Sequence, residues 1–201
     1  MIQKKIGTLL QQSALLTLWL NGFENFNFGP EDLEILNGDH AGEYCTEELF
    51  NELRKFPSDI KVACHNAMPM IDVERAYRLP YCMVGSDGQF HRDEQNLLHG
   101  HPRGAGSLAR FLREFVREKK LLPLMEGLRR LTSLPAEQFS LEGKGTLQAG
   151  ADADLVLFDP DRISDKAEFG TDVCGKPPVG IACVVVDGEI KYDTNLIEIE
   201  R

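Results

Sequence analysis

The chain has 201 residues, enough for one domain or one and a half with a sizeable core. Its 42% hydrophobic and 27% charged content is ordinary for a soluble globular protein. A formal net charge of −10 argues against nucleic acid or an anionic membrane as the main partner.

In chain order, Ile2, Ile6, Leu9, Leu10 and Leu16 fall near helical spacing, so an amphipathic helix is expected over 2–20. Lys4-Lys5 followed by Ala14–Leu20 is the only targeting candidate. Its apolar run is too short to span a bilayer, and no small-x-small cleavage site follows closely, so neither a signal peptide nor a membrane span is expected. Asn21–Asn37, aromatic and acidic with Gly29-Pro30, reads as a connector. Thr46 can cap a short helix through Lys55, with Glu47 and Glu48 where the helix dipole favours them, and Pro57-Ser58-Asp59 ends it.

Ile60–Asn66 reads as a buried strand ending in the polar pair His65-Asn66. Met70–Arg78 reads as a helix with Ile71, Val73 and Ala76 on its buried side. Tyr81–Val84 reads as a second buried strand running to Asp87, so strand–helix–strand at short spacing predicts a parallel sheet. Gln89–Gly104 is a polar loop carrying His91, His99 and His101. Ser107–Lys120 reads as a helix with Leu108, Phe111, Leu112 and Phe115 on one face. A further helix follows over Leu121–Leu131, started by Pro123, and a turn at Pro135–Phe139. The basic stretch Arg110–Arg130 is interleaved with Glu114, Glu118 and Glu126 and reads as solvated helix faces.

From Gly143 the character changes. Leu155–Phe158 reads as a buried strand closed by Pro160, Ile181–Val186 as another strand, and Asp187-Gly188 signals a hairpin returning through Tyr192. The glycines at 143–150 precede a strand, whereas a phosphate loop should open a helix, which disfavours a nucleotide-binding domain. Five scattered cysteines without a C-x-x-C pair, Cys64 and Cys82 within apolar runs, favour a reducing cytoplasm. The organisation expected is a helical or loop segment over 1–57, a partial α/β part over 58–140 and a small β module over 141–201.

The stretch with most chemical content is Val84-Gly-Ser-Asp-Gly88. A carboxylate at the C-terminal end of a buried strand, on a glycine-flanked turn, sits where α/β barrels keep catalytic groups. Taken alone, Asp87-Gly88 also reads as an ordinary turn. The order Val84-Gly-Ser-Asp-Gly88, His101-Pro-Arg103, Arg110–Arg117, Leu131–Glu137, Gly145-x4-Gly150 and Ala151–Pro160 resembles N-acyl-D-amino-acid deacylases, metal-dependent hydrolases of the amidohydrolase superfamily. The resemblance runs from about Ile60 to Tyr192.

That resemblance implies the C-terminal part of a (β/α)8 barrel, its last two strand–helix units, followed by part of a β-sandwich domain. It implies zinc in the parent family and an N-acyl-D-amino acid as substrate. By match, Asp87 is the carboxylate that takes a proton from the attacking water and passes it to the leaving amine, with a possible metal contact. Arg103 matches the arginine that holds the substrate carboxylate. His101 orients that loop or makes a plain loop hydrogen bond, and Ser86 and Gly88 flank the aspartate at the substrate side. The family's metal ligands lie before the last two strands, and this chain has no His-x-Asp. Its only His-x-His, His99-Gly-His101, stands after the last strand, so a metal role for His91, His99 and His101 would be new. The chain alone is therefore expected to bind no zinc. A complete barrel typically takes about 250 residues and eight units, and only two can be placed here. Met1–Leu20 looks unlike anything upstream in the family, as a truncated gene would give. Two readings follow: half of a deacylase that works only with a complementary N-terminal half, or a truncated module that hydrolyses nothing; an open apolar half-barrel face would demand a partner or self-association.

Overall fold

The structure is a computed structural model, and it describes residues 28–55, 60–65 and 68–194. The helix expected over 2–20, the beginning of the connector, Pro57-Ser58-Asp59 and Asn66 lie outside the described residues. The chain divides into two units, Met1–Val73 and Glu74–Arg201.

In the first unit the expected connector contains a strand, β1 (Leu33–Ile35), entered through a short 3-10 turn at Pro30–Asp32. It pairs antiparallel with β2 (Val62–Cys64), Leu33 opposite Cys64 and Ile35 opposite Val62. The alternation explains the pairing: Leu33 and Ile35 point into a core with Cys45 and Phe50, while Glu34 points the other way and meets His65 at 2.8 Å. Helix α1 (Glu47–Leu53) closes that core with Phe50. The Thr46 hydroxyl accepts the Leu49 N–H at 3.2 Å, the N-cap expected from the sequence. The strand predicted over Ile60–Asn66 is thus shorter, and only Ala63 of it is buried.

Helix α2 (Met70–Arg78) forms as predicted, but its buried side differs. Ile71 and Ala76 are exposed. In the second unit it is Tyr77 that packs, edge-on to Phe111 and Phe115 at 4.9 and 4.7 Å. Of the predicted buried side only Val73 is half-buried; it shares a face with half-buried Tyr77, and the aromatic does most of the docking.

The strand predicted over Tyr81–Asp87 is not formed: residues 82–89 join no ladder among the described residues, and Tyr81 is 69% exposed. Among the described residues no parallel strand–helix–strand unit forms, and every ladder is antiparallel. An apolar run becomes a strand only where a neighbouring strand accepts its backbone groups. The expected polar loop at 89–104 holds such a pair instead, a hairpin of β3 (Phe90–Arg92) and β4 (Leu98–Gly100). The Asp93 carboxylate ties its turn by accepting the Gln95 and Leu97 N–H groups.

Helix α3 (Arg103–Arg110) runs straight into a π-helical segment, Phe111–Glu118, which buries Phe111, Leu112, Phe115 and Val116; Leu108 stays exposed. Helices α4 (Leu124–Leu131), preceded by Pro123 as expected, and α5 (Ser133–Gln138) follow. The guanidiniums of Arg110 and Arg113 both bond the Asp165 carboxylate, at 2.9 and 3.0 Å. Arg117 donates to the carbonyls of Pro160 and Ile163. These bonds pin the helical part to the loop after the next strand.

The C-terminal sheet has the order β5 (Leu155–Phe158), β6 (Ile181–Val186), β7 (Glu189–Asp193), antiparallel throughout. Asp187 and Gly188 both take positive φ (53° and 79°), the two-residue turn that matches strand twist, as the sequence signalled. Lys144 meets Asp152 at 2.9 Å and Asp154 at 2.6 Å, so the carboxylates of Ala151-Asp-Ala-Asp154 brace the sheet's entry. Hydrogen bonds from Lys144 to both carboxylates hold its ammonium well above its usual range. The predicted buried run at Leu155–Phe158 is instead exposed, with Leu155, Val156 and Leu157 all open to solvent. Among the described residues no helix is long and apolar enough to cross a membrane, and the five cysteines are free thiols.

Candidate functional site

The site is built on the junction between the unpaired segment 82–89 and the start of α3. Asp87 stands at φ 46°, in the left-handed region that aspartate tolerates better than most residues. The next residue passes close to a second backbone. A side chain on Gly88 would place its Cβ 2.2 Å from Gly104 Cα and 2.6 Å from Gly104 N, so glycine at 88 is what lets the two strands of chain touch. The Ser86 hydroxyl accepts the Gly88 N–H at 3.3 Å and holds the turn. That approach brings Asp87 to Arg103, the first residue of α3. Arg103 Nε donates to the Asp87 carbonyl at 3.1 Å, and its Nη2 meets the Asp87 carboxylate at 2.8 Å.

His101 completes the junction by a local bond. Its Nδ1 accepts the Arg103 backbone N–H at 3.0 Å, which leaves the ring proton on Nε2. The ring lies edge-on to Phe169 at 4.9 Å. Burial, then the positive charges of Arg103 and Arg110, push the imidazole below its ordinary pKa, against a smaller upward pull from Asp87. His101 is thus poised neutral near pH 7. All five residues singled out from the sequence, Ser86, Asp87, Gly88, His101 and Arg103, meet in this one turn-and-helix junction. The Asp87 side chain is 88% exposed, so the site is open on its carboxylate side.

The other histidines stand elsewhere. His91 and His99 are directly opposed across β3 and β4 and stack at 5.3 Å, and His99 Nε2 meets Asp93 at 2.8 Å. Among the described residues, which include every histidine and cysteine of the chain, no group of three or more His, Cys, Asp or Glu side chains could hold a metal ion. Asp87 faces a guanidinium and His101 Nδ1 is taken by a backbone N–H. The donor set at this junction does not fit a zinc ion.

Sequence reasoning missed what grips the segment leading into the site. Arg130 is 2% exposed, the most deeply buried charged residue among those described, where solvated helix faces were expected. It donates to the carbonyls of Leu79 and Cys82 and to Glu126, and Arg129 donates to the carbonyl of Pro80. The available signal was Glu126 spaced three and four residues before an arginine pair in one short helix.

The amidohydrolase family model matches residues 85–192, from the site's turn to the last strand of the sheet. The chain belongs to the amidohydrolase family. This amidohydrolase chain is 40% identical over 126 residues to the N-acyl-D-glutamate deacylase of Alcaligenes xylosoxydans xylosoxydans, covering 63% of itself and 24% of that protein. It is similar to the zinc- and phosphonate-complexed crystal structure of the N-acyl-D-glutamate deacylase from Bordetella bronchiseptica. There the TM-score is 0.65 and the identity 33%, over 85% of this chain and 36% of that one. A crystal structure of D-aminoacylase matches at TM-score 0.65 and 29% identity, over 81% and 35%. The amidohydrolase chain thus spans about a quarter of the length of its curated relatives and about a third of its structural ones.

Proposed function

We propose that this chain is the C-terminal portion of an N-acyl-D-amino-acid deacylase and is catalytically incomplete by itself. On this reading residues 58–140 correspond to the last part of the barrel and 141–201 to part of the β-sandwich. Asp87 takes the proton of the attacking water and hands it to the leaving amine as the amide C–N bond breaks. Arg103, whose fork Asp87 holds here, exchanges that partner for the α-carboxylate of the N-acyl-D-amino acid, as bidentate recognition requires. The observation that carries the reading is the Asp87–Arg103 pair at 2.8 Å, inside the region the family model matches. Family membership supports the reaction class; the names of the relatives support the substrate class.

Incompleteness is supported by the donor set just described and by the open sheet. A complementary segment bringing the metal ligands would cover apolar strands such as β5, whose Leu157 is 65% exposed; self-association is the alternative cover. A reducing, cytoplasmic setting suits five free thiols. The test is metal content by elemental analysis after dialysis against zinc, with an N-acetyl-D-amino-acid assay on the same sample. Near-zero zinc and a blank rate are expected. One zinc per chain with turnover would sink the claim of incompleteness, and its loss in Asp87→Asn would make Asp87 a ligand.

A further inference from the structure

Among the described residues no strand pairs with the segment that carries Asp87, and other bonds set its course. Two guanidiniums on the last turn of α4 bond three of the carbonyls leading into it. Arg130 Nη1 donates to the Leu79 carbonyl at 2.8 Å and to the Cys82 carbonyl at 3.2 Å. Arg129 Nη2 donates to the Pro80 carbonyl at 2.7 Å. Glu126, one turn earlier, holds both forks in place: it accepts from Arg130 Nε at 3.0 Å and from Arg129 at 2.9 and 3.1 Å. Those bonds in turn keep the Glu126 carboxyl below its usual range, so the brace stays ionised at neutral pH. Arg103 grips the other end, at the Asp87 carbonyl.

We propose that Arg130, assisted by Arg129, is a positioning residue for Asp87: the pair fixes the backbone at Leu79–Cys82 and so sets how the chain enters the Gly85–Gly88 turn. The chemistry favours arginine here. A buried guanidinium must satisfy several donors at once, and a carbonyl row next to a carboxylate is the acceptor set that does so. Burial at 2% exposure makes this a committed contact rather than a passing surface one. An ordinary helix-stabilising arginine would need Glu126 alone; the two carbonyl bonds on Arg130 are what a positioning role adds.

Asp87 as proton carrier belongs to the reading above, but the clamp is measured without turnover, so each idea fails separately. In the isolated chain, Arg130→Met keeps the side chain's bulk and removes the fork. Limited chymotrypsin digestion then compares cleavage after Tyr81, inside the clamped segment, with cleavage after Phe139, exposed and outside it. A rise of about tenfold in the Tyr81-to-Phe139 cleavage ratio is expected, because loss of the clamp opens one segment and general destabilisation opens both. The His101 imidazole, followed by proton NMR, should titrate at a lower pH than in the parent chain, since Asp87 drifts from Arg103 and its upward pull weakens. An unchanged ratio, or an unmoved His101 midpoint, would overturn the proposal. Should Arg130→Met fail to fold, Arg129→Met at the exposed half of the clamp decides: a smaller rise in the ratio supports it, and none overturns it.

Discussion

Gly88 sits where two stretches of backbone come within side-chain distance, and its lack of a Cβ is a matter of space more than of dihedral angle. With Gly104 Cα 2.2 Å from the position a Cβ would take, neither partner can yield by rotating a side chain. Gly88→Ala is expected to cost roughly 1–3 kcal/mol, as overpacking does, read as a lower denaturant midpoint at unchanged m-value. The Asp87–Arg103 pair behaves differently. With Asp87 88% exposed, breaking it costs little stability, so Asp87→Asn should leave the melting curve nearly unmoved. Where activity is restored by a complementary segment, the same change should lower kcat by about a hundredfold or more with KM little altered. A parallel fall in stability and activity would instead mark Asp87 as structural. The motif residues at this site are legible in the amino-acid sequence, because each is small, forked or ionisable and the order of the motifs is specific. Arg130 is not, since nothing in a run of mixed charges tells which arginine is turned inward.

At the scale of elements, Asp165 joins the α3–π helix to the loop after β5. Its side chain is 8% exposed and accepts from Arg110 and Arg113. Burial pushes its pKa up, but the two hydrogen bonds and charges outweigh that, and the carboxyl stands below its usual range. For a carboxyl depressed in the folded state, the stability it contributes is full above its unfolded pKa, about 3.9, and is lost as pH falls through the lower folded value. Urea unfolding should therefore weaken progressively in the parent chain below about pH 4, and less steeply in Asp165→Asn. At pH 7 that variant should already be less stable by roughly 1–3 kcal/mol, since two arginines lose a charged acceptor. An equal acid slope in both chains would place the acid sensitivity in other carboxylates. The helices here are legible from apolar spacing and from Thr46 and Pro123; the hairpin at Phe90–Gly100 is hidden by its polar residues, because its pairing rests on backbone bonds and on Asp93.

For the whole molecule, the sheet β5-β6-β7 is the feature with a consequence in solution. Leu155, Val156, Leu157, Ile190 and Tyr192 are all exposed on it, and among the described residues no further strand pairs with β5 or β7. Exposed apolar strands with free edges recruit other chains, while a net charge of −10 opposes it. Sedimentation velocity should show association that grows with concentration and with added salt, as screening removes the repulsion. Leu157→Lys should reduce it without altering the far-UV spectrum. Association unaffected by that change would locate the contact away from β5.

The sequence by itself determined the family, the order of the helices among the described residues and the Asp187-Gly188 turn, and it singled out the five residues proposed for the site. These depend on local chemistry: periodicity, caps, turn residues and motif order are properties of neighbours along the chain. Only the tertiary structure decided that Tyr81–Asp87 runs unpaired, that β2 pairs antiparallel with β1, that Leu155–Phe158 lies open and that Arg130 is buried. Each of those depends on what stands across from a residue in space. An apolar run is a buried strand only when partners exist on both sides to cover it, and among the described residues two arginines, not a neighbouring strand, meet the backbone at Leu79–Cys82 where the run alone predicts a sheet.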